Sequence, residues 1–149
     1  MLRKFGKFSL VIGALLAFGA LPQTATAASP KAKRFAQEKI AFQISEADPK
    51  KLNIAFGAAR NVQKTYGKNN SVIELVAFGP GVNLFTLDSE SGQRIDAALK
   101  EGIQIVICEN TLKSQNMSEA DLLPGLSYVP AGILHLMQRQ KQGYAYILP

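Results

Sequence analysis

The sequence predicts an α/β fold, a three-layer α/β/α sandwich around a mostly parallel sheet of about five strands. Two observations lead there. Strand-length apolar runs alternate with segments of helical apolar spacing from residue 39 to the end of the chain. One run, residues 103–108 (IQIVIC), is apolar almost throughout, as a strand covered on both faces requires. Neither an internal repeat nor a low-complexity segment interrupts this order.

The elements follow in turn. Residues 39–45 (KIAFQIS) alternate apolar and polar side chains and read as the first strand. Asp48 then caps a helix with Pro49 at its first position, a residue that lacks only an N–H the helix cannot use. Leu52, Ala55, Phe56, Ala59 and Val62 recur at helical spacing on one face, and Gly67 stops the helix. Residues 72–78 (VIELVAF) form a second strand that ends in Gly79-Pro80-Gly81. A second helix is expected from about Ser89, with Ile95, Ala98 and Leu99 inward and Gly102 as its stop. After the third strand, Ser118-Glu119-Ala120-Asp121 has the form of a capping box. Met117 and Leu122 are placed for a hydrophobic staple, and this short helix is expected to end near Pro124-Gly125. Residues 126–129 are a short strand. Pro130 is expected to open a helix carrying Ile133, Leu134 and Met137, Gly143 to stop it, and residues 144–148 to form the last strand.

The chain's ends differ from its middle. Arg3, Lys4 and Lys7 precede an apolar run at 8–21, and Ala25-Thr26-Ala27 supplies the small-x-small pattern of a cleavage site. Residues 1–27 therefore read as a secretory signal peptide. Its roughly 14 apolar residues fall short of the about 20 a membrane span needs. No cysteine follows for a lipid anchor, and Arg3-Lys4 is not a twin-arginine pair. Residues 28–38 read as a flexible basic lead-in and 39–149 as the folded domain, with a periplasmic location and no stable membrane anchor. About 120 residues remain after cleavage, enough for one domain with its own core.

The net charge of +6 resides in these ends. Six of the 17 basic residues precede Lys39, leaving 11 in the domain against 10 of the 11 acidic residues. A nearly neutral domain lacks the basic face that nucleic-acid binding requires, so no nucleic-acid partner is expected.

Chemistry is expected at the carboxyl ends of the strands, where open parallel sheets place their ligands. Residues 46–48, 79–83 and 108–111 converge there. Cys108, the only cysteine, is the last residue of its apolar run. It cannot form an internal disulfide. In an oxidising compartment it is paired between molecules, reactive or buried. If Glu109-Asn110-Thr111 opens a helix, the thiol meets free N–H groups that lower its pKa, whereas the Glu109 carboxylate opposes that. Gly81 and Val82 are candidates to offer backbone N–H groups to an anion or persulfide at Cys108, with Asn110 and Thr111 beside it. The bland alternative for Gly-Pro-Gly is a tight turn. It is not a dinucleotide fingerprint, because Leu84 stands where a third glycine is needed, and no P-loop lysine is present. His135, the only histidine, could activate the thiol, although a lone histidine on such a helix is more often packed or exposed. One Cys and one His do not make a zinc site, and neither a metal nor a cofactor is expected. Tyr128, Tyr144 and Tyr146 read as core or subunit-contact residues.

The ordered segments KIAFQISEADPKKLNIAFGAARN, VIELVAFGPGV, IVICENTLKSQNM and LPGLSYVPAG resemble the DsrE/DsrF-like proteins, most of all their small exported branch, from about Lys39 to Pro149. The resemblance implies a three-layer α/β fold and assembly into homotrimers or hexamers. It also implies sulfur-relay chemistry, with a cysteine after the third strand carrying sulfur as a persulfide between donor and acceptor proteins. Cys108 is the matching position. Export departs from the cytoplasmic relays of that family. The alternative is therefore a non-catalytic oligomeric binding or assembly module with a structural Cys108.

Overall fold

A computed structural model describes residues 37–149. The leader read at 1–27 and the lead-in up to residue 36 lie outside the described residues. Five strands form one sheet: β1 (Glu38–Ile44), β2 (Ser71–Ala77), β3 (Gln104–Cys108), β4 (Ser127–Val129) and β5 (Ala145–Ile147). Their order is β4-β3-β2-β1-β5, and every pairing is parallel. Four helices connect them: α1 (Pro49–Tyr66), α2 (Gly92–Lys100), α3 (Glu109–Ser114) and α4 (Gly132–Lys141).

This order explains the layers. The chain steps from β1 to β4 in one direction across the sheet, and right-handed crossovers place α1, α2 and α3 on one face. It then returns past β1 to reach β5, so the same handedness puts α4 on the other face. Packing follows. Leu52, Ala55 and Phe56 of α1, Ile95 and Ala98 of α2 and Leu112 of α3 share a buried cluster with Ile40, Phe42, Ile73, Leu75, Ile105 and Ile107. Leu136 of α4 packs with Ala41, Val76 and Val106, the alternate residues of the same strands. Phe42, Phe56 and Phe85 are wholly buried on the first face, each contributing about 1.5–3 kcal/mol of transfer free energy.

The local signals at α1 act as read. The Asp48 carboxylate accepts from the Lys50 N–H at 2.8 Å, Pro49 opens the helix, and Gly67 ends it at φ 91°. Three elements depart from expectation. α2 begins at Gly92, because Ser89 is held in the preceding turn, its hydroxyl donating to the Leu84 carbonyl and accepting from the Ser91 N–H. The Ser118–Asp121 capping box forms but carries only a single 3-10 turn, Glu119–Asp121. Leu122 is extended there and bridges Thr86, while the Leu123 N–H donates to the Phe85 carbonyl. Tertiary pairing thus takes the chain out of the helix. Finally, α4 opens at Gly132 rather than Pro130, with Ala131 as its uncapped N-cap. Its inward side chain is Leu136, whereas Ile133, Leu134 and Met137 are 59 %, 57 % and 49 % exposed.

Candidate functional site

The sheet's topology selects one place for a site. Loops leaving β3 and β4, which are neighbours, run to opposite faces, one into α3 and the other into α4. A crevice opens at such a switch point, beyond the carboxyl ends of the two strands. Cys108 ends β3, and Pro130-Ala131-Gly132 follow β4 directly. The switch point and the cysteine coincide.

The side chain of Cys108 alternates with the inward residues of the first face, so it stands with Val106 on the α4 side. It is free and only 6 % exposed. Cys108 is also the N-cap of α3. No capping hydrogen bond from its side chain forms, but the backbone N–H groups of Asn110 and Thr111 at the start of α3 act on the sulfur and favour its anion. The Gly132 N–H, at the first position of α4, and the Thr111 hydroxyl complete the set. Burial pushes the thiol pKa up, but these four donors outweigh it and hold the pKa below its ordinary value. Glu109, next in sequence, does not reverse that balance. When protonated, the thiol faces the Pro130 carbonyl at 4.0 Å.

Thr111 is itself held. Its hydroxyl oxygen accepts from the Gly79 N–H at 3.0 Å, which leaves its proton to donate to the sulfur. One turn on, Gln115 Nε2 donates to the Gly79 carbonyl at 3.2 Å. α3 therefore grips both sides of the Gly79 residue, tying the end of β2 to the end of β3.

Asn110 and Thr111 lie beside Cys108 in the first turn of α3; Gly81 and Val82 lie in the turn after β2 and are not among the groups that act on its sulfur. Residues Gly79–Phe85 coil as a 3-10 helix in which the Gly81 N–H already donates to the Phe78 carbonyl. Gly81 is needed for another reason: a Cβ there would lie 2.2 Å from the Ile44 carbonyl oxygen. Val82 is a wholly buried core residue. The bland reading of Gly-Pro-Gly is the one that accounts for its geometry.

His135 does not pair with Cys108. Its Nε2 lies 2.9 Å from Glu74 Oε2, and Arg139, one turn further along α4, grips the same carboxylate from Nε at 2.9 Å and Nη2 at 2.7 Å. Glu74 is 1 % exposed in the middle of β2. The guanidinium–carboxylate contact raises the Arg139 pKa. Two residues of this neighbourhood were missed in the sequence, Gly132 and Glu74. Each left a signal: a glycine behind Pro130-Ala131 where a helix starts, and a single carboxylate inside the apolar run VIELVAF.

A cavity of about 260 Å³ flanks the β4–α4 turn, lined by Val129, Pro130, Ala131, Leu134, His135 and Gln138. Cys108 does not line it. Among the described residues no group of three or more His, Cys, Asp or Glu side chains could hold a metal ion. Among them, too, no helix is long and apolar enough to cross a membrane.

Three solved structures share this fold. A protein of unknown function from Methanobacterium thermoautotrophicum, MTH1491, superposes with a TM-score of 0.70 at 32 % identity, over 75 % of this chain and 99 % of its own. A conserved protein of unknown function from Bacteroides thetaiotaomicron, BT1422, gives 0.63 at 19 % identity, over 78 % and 98 %. The ychN protein of E. coli gives 0.59 at 13 %, over 74 % and 97 %. No curated protein matches the chain significantly. The model of the DsrE/DsrF-like family matches residues 38–149, the whole of the sheet and its helices. By fold, by extent and by sequence, this chain is a member of the DsrE/DsrF-like family.

Proposed function

We propose that this protein is a periplasmic sulfur carrier in which Cys108 accepts sulfane sulfur and passes it on as a persulfide. The observation that carries the reading is the place of Cys108, at the N-cap of α3 with Gly132 of α4 packed against it, where the N–H groups of Gly132, Thr111 and Asn110 and the Thr111 hydroxyl favour its anion. Such a set stabilises a thiolate, the form of cysteine that attacks sulfur. The Cys108 thiolate attacks the outer sulfur of a donor persulfide, R–S–SH. A bond forms from Sγ to that sulfur, the donor's S–S bond breaks, and R–S⁻ leaves as a thiolate that takes up the proton. Sulfane sulfur changes hosts, and no external oxidant or reductant is consumed. Delivery to an acceptor thiolate is the same step reversed. Family membership supports the chemistry, and the basic, apolar and small-x-small order of residues 1–27 supports export.

A second reading, an oligomeric binding or assembly module with a structural Cys108, is favoured by a different observation. Ile133, Leu134 and Met137 of α4 and Tyr146, Ile147 and Leu148 at the chain's end are all exposed apolar side chains, an arrangement suited to subunit contacts in a homotrimer or hexamer.

The test is the intact mass of the mature protein after incubation with polysulfide, beside a Cys108→Ser variant. Sulfur added to the wild type alone is the expected result. No adduct, with a thiol alkylated only after unfolding, refutes the carrier and leaves the module.

A further inference from the structure

The Glu74 carboxylate sits in the sheet, 1 % exposed, beneath α4. α4 buries one large apolar side chain, Leu136, and turns Ile133, Leu134 and Met137 outward. What joins it to the sheet instead is the pair of contacts that His135 and Arg139 make to Glu74. These residues are four apart and share a face of the helix. Around them, Arg139 Nη1 donates to Gln142 and its guanidinium lies 5.1 Å from the centre of the Tyr144 ring, with Lys39 on that ring at 5.7 Å. Three residues before His135, Gly132 packs against Cys108, where an added Cβ would lie 3.3 Å from the Cys108 Cβ, and its N–H favours the thiolate. A rigid helical turn connects the clamp to the donor, and the His135 N–H closes that turn on the Ala131 carbonyl at 3.0 Å.

We propose that Glu74 is a positioning residue of the Cys108 site: by holding His135 and Arg139 it fixes α4 so that the Gly132 backbone stays packed against Cys108. The inference rests on Cys108 working as a thiolate, as in the function proposed above. It makes the buried carboxylate part of the site although it touches no sulfur.

Charge and position predict opposite signs here. Neutralising Glu74 removes a negative charge from the sulfur's surroundings, which by Coulomb's law lowers a thiol pKa. Releasing α4 withdraws a donor and raises it. A rise therefore reports position.

The experiment measures the pH dependence of Cys108 alkylation by iodoacetamide in the wild type, Glu74→Gln, Arg139→Lys and Ala59→Gly. The last variant loosens α1 on the opposite face, away from α4, and matches a general loss of stability. Glu74→Gln is expected to raise the apparent thiol pKa by about one unit, leaving about tenfold less thiolate below it. Arg139→Lys, which keeps the charge but not the two-pronged contact, is expected to raise it by less. It also stands in should Glu74→Gln fail to fold. Ala59→Gly is expected to keep the wild-type value. Wild-type values in both clamp variants overturn the proposal, as does an equal rise in Ala59→Gly. An ordinary thiol pKa in the wild type overturns both this proposal and the sulfur-carrier reading. The expected shifts together with no sulfur adduct from polysulfide overturn the carrier alone and support the clamp.

Discussion

Replacing Gly132 by alanine adds one methyl group at the point where α4 meets the sulfur. The backbone itself tolerates alanine, since Gly132 is not among the glycines with positive φ. Helix propensity alone predicts a gain of about 0.5–1 kcal/mol. The surroundings oppose it. The new Cβ would lie 3.2 Å from Phe78 Cδ1, 3.3 Å from Phe78 Cβ and 3.3 Å from Cys108 Cβ, several tenths of an ångström inside ordinary contact. Cys108 is fixed by its pairing with Val129 of β4, and Phe78 follows β2 with its N–H bonded to the Ile44 carbonyl. α4 holds the sheet with one buried leucine and one ionic clamp, so α4 is the part that moves. Overpacking of this kind costs about 1–3 kcal/mol and outweighs the propensity gain. The net loss is about 1–2 kcal/mol, or a fall in Tm of about 5–10 °C. The same displacement draws the Gly132 N–H away from Cys108. A hydrogen bond to a charged group is worth about 1.5–3 kcal/mol, and weakening one raises the thiol pKa by about one unit at 1.36 kcal/mol per unit. Thermal denaturation and the pH profile of alkylation read the two effects. A variant that melts higher than wild type, or keeps its thiol pKa, refutes the placement of the α4 N-terminus against Cys108.

Two further outcomes are expected. Gly81→Ala would set its Cβ 2.2 Å from the Ile44 carbonyl oxygen and 2.7 Å from the carbonyl carbon; backbone cannot swing aside, so a loss of about 3 kcal/mol or more in urea unfolding is predicted, and wild-type stability would refute the seating of the 3-10 turn on β1. Because the folded-state thiol pKa lies below its ordinary value, the unfolded chain binds more protons between the two. Stability from Cys108 is then full above the unfolded pKa of about 8.5 and is lost as pH falls through the folded pKa. Unfolding under reducing conditions across this window should show wild-type stability rising with pH relative to Cys108→Ser, and parallel profiles would exclude a stabilised thiolate.

Much of the fold was legible in local patterns. Strand and helix periods along residues 39–149 identify the elements, and the Asp48, Pro49 and Gly67 signals bound α1 because capping is settled within a few residues of chain. Cys108 was legible as the end of an apolar strand, and Asn110 and Thr111 as its near neighbours, since a helix N-terminus carries its own donors. The capping box at Ser118–Asp121 was equally legible, yet the helix it announces is a single turn. Its continuation is decided by Thr86 and Phe85, more than thirty residues earlier.

What the tertiary structure alone decided is which distant groups complete the site. Gly132 reaches the sulfur because the chain reverses direction after β4, a property of strand order that no residue near Cys108 encodes. His135 carries an imidazole suited to activating a thiol, yet lies with Glu74, 61 residues away in sequence. The pleat sends Glu74 to the α4 face, where a buried carboxylate needs hydrogen-bond partners and finds them in His135 and Arg139. Local periodicity depends on backbone geometry that repeats every few residues, so a sequence displays it directly. Partner choice among buried polar groups depends on which faces the sheet order brings together, and only the folded chain settles that.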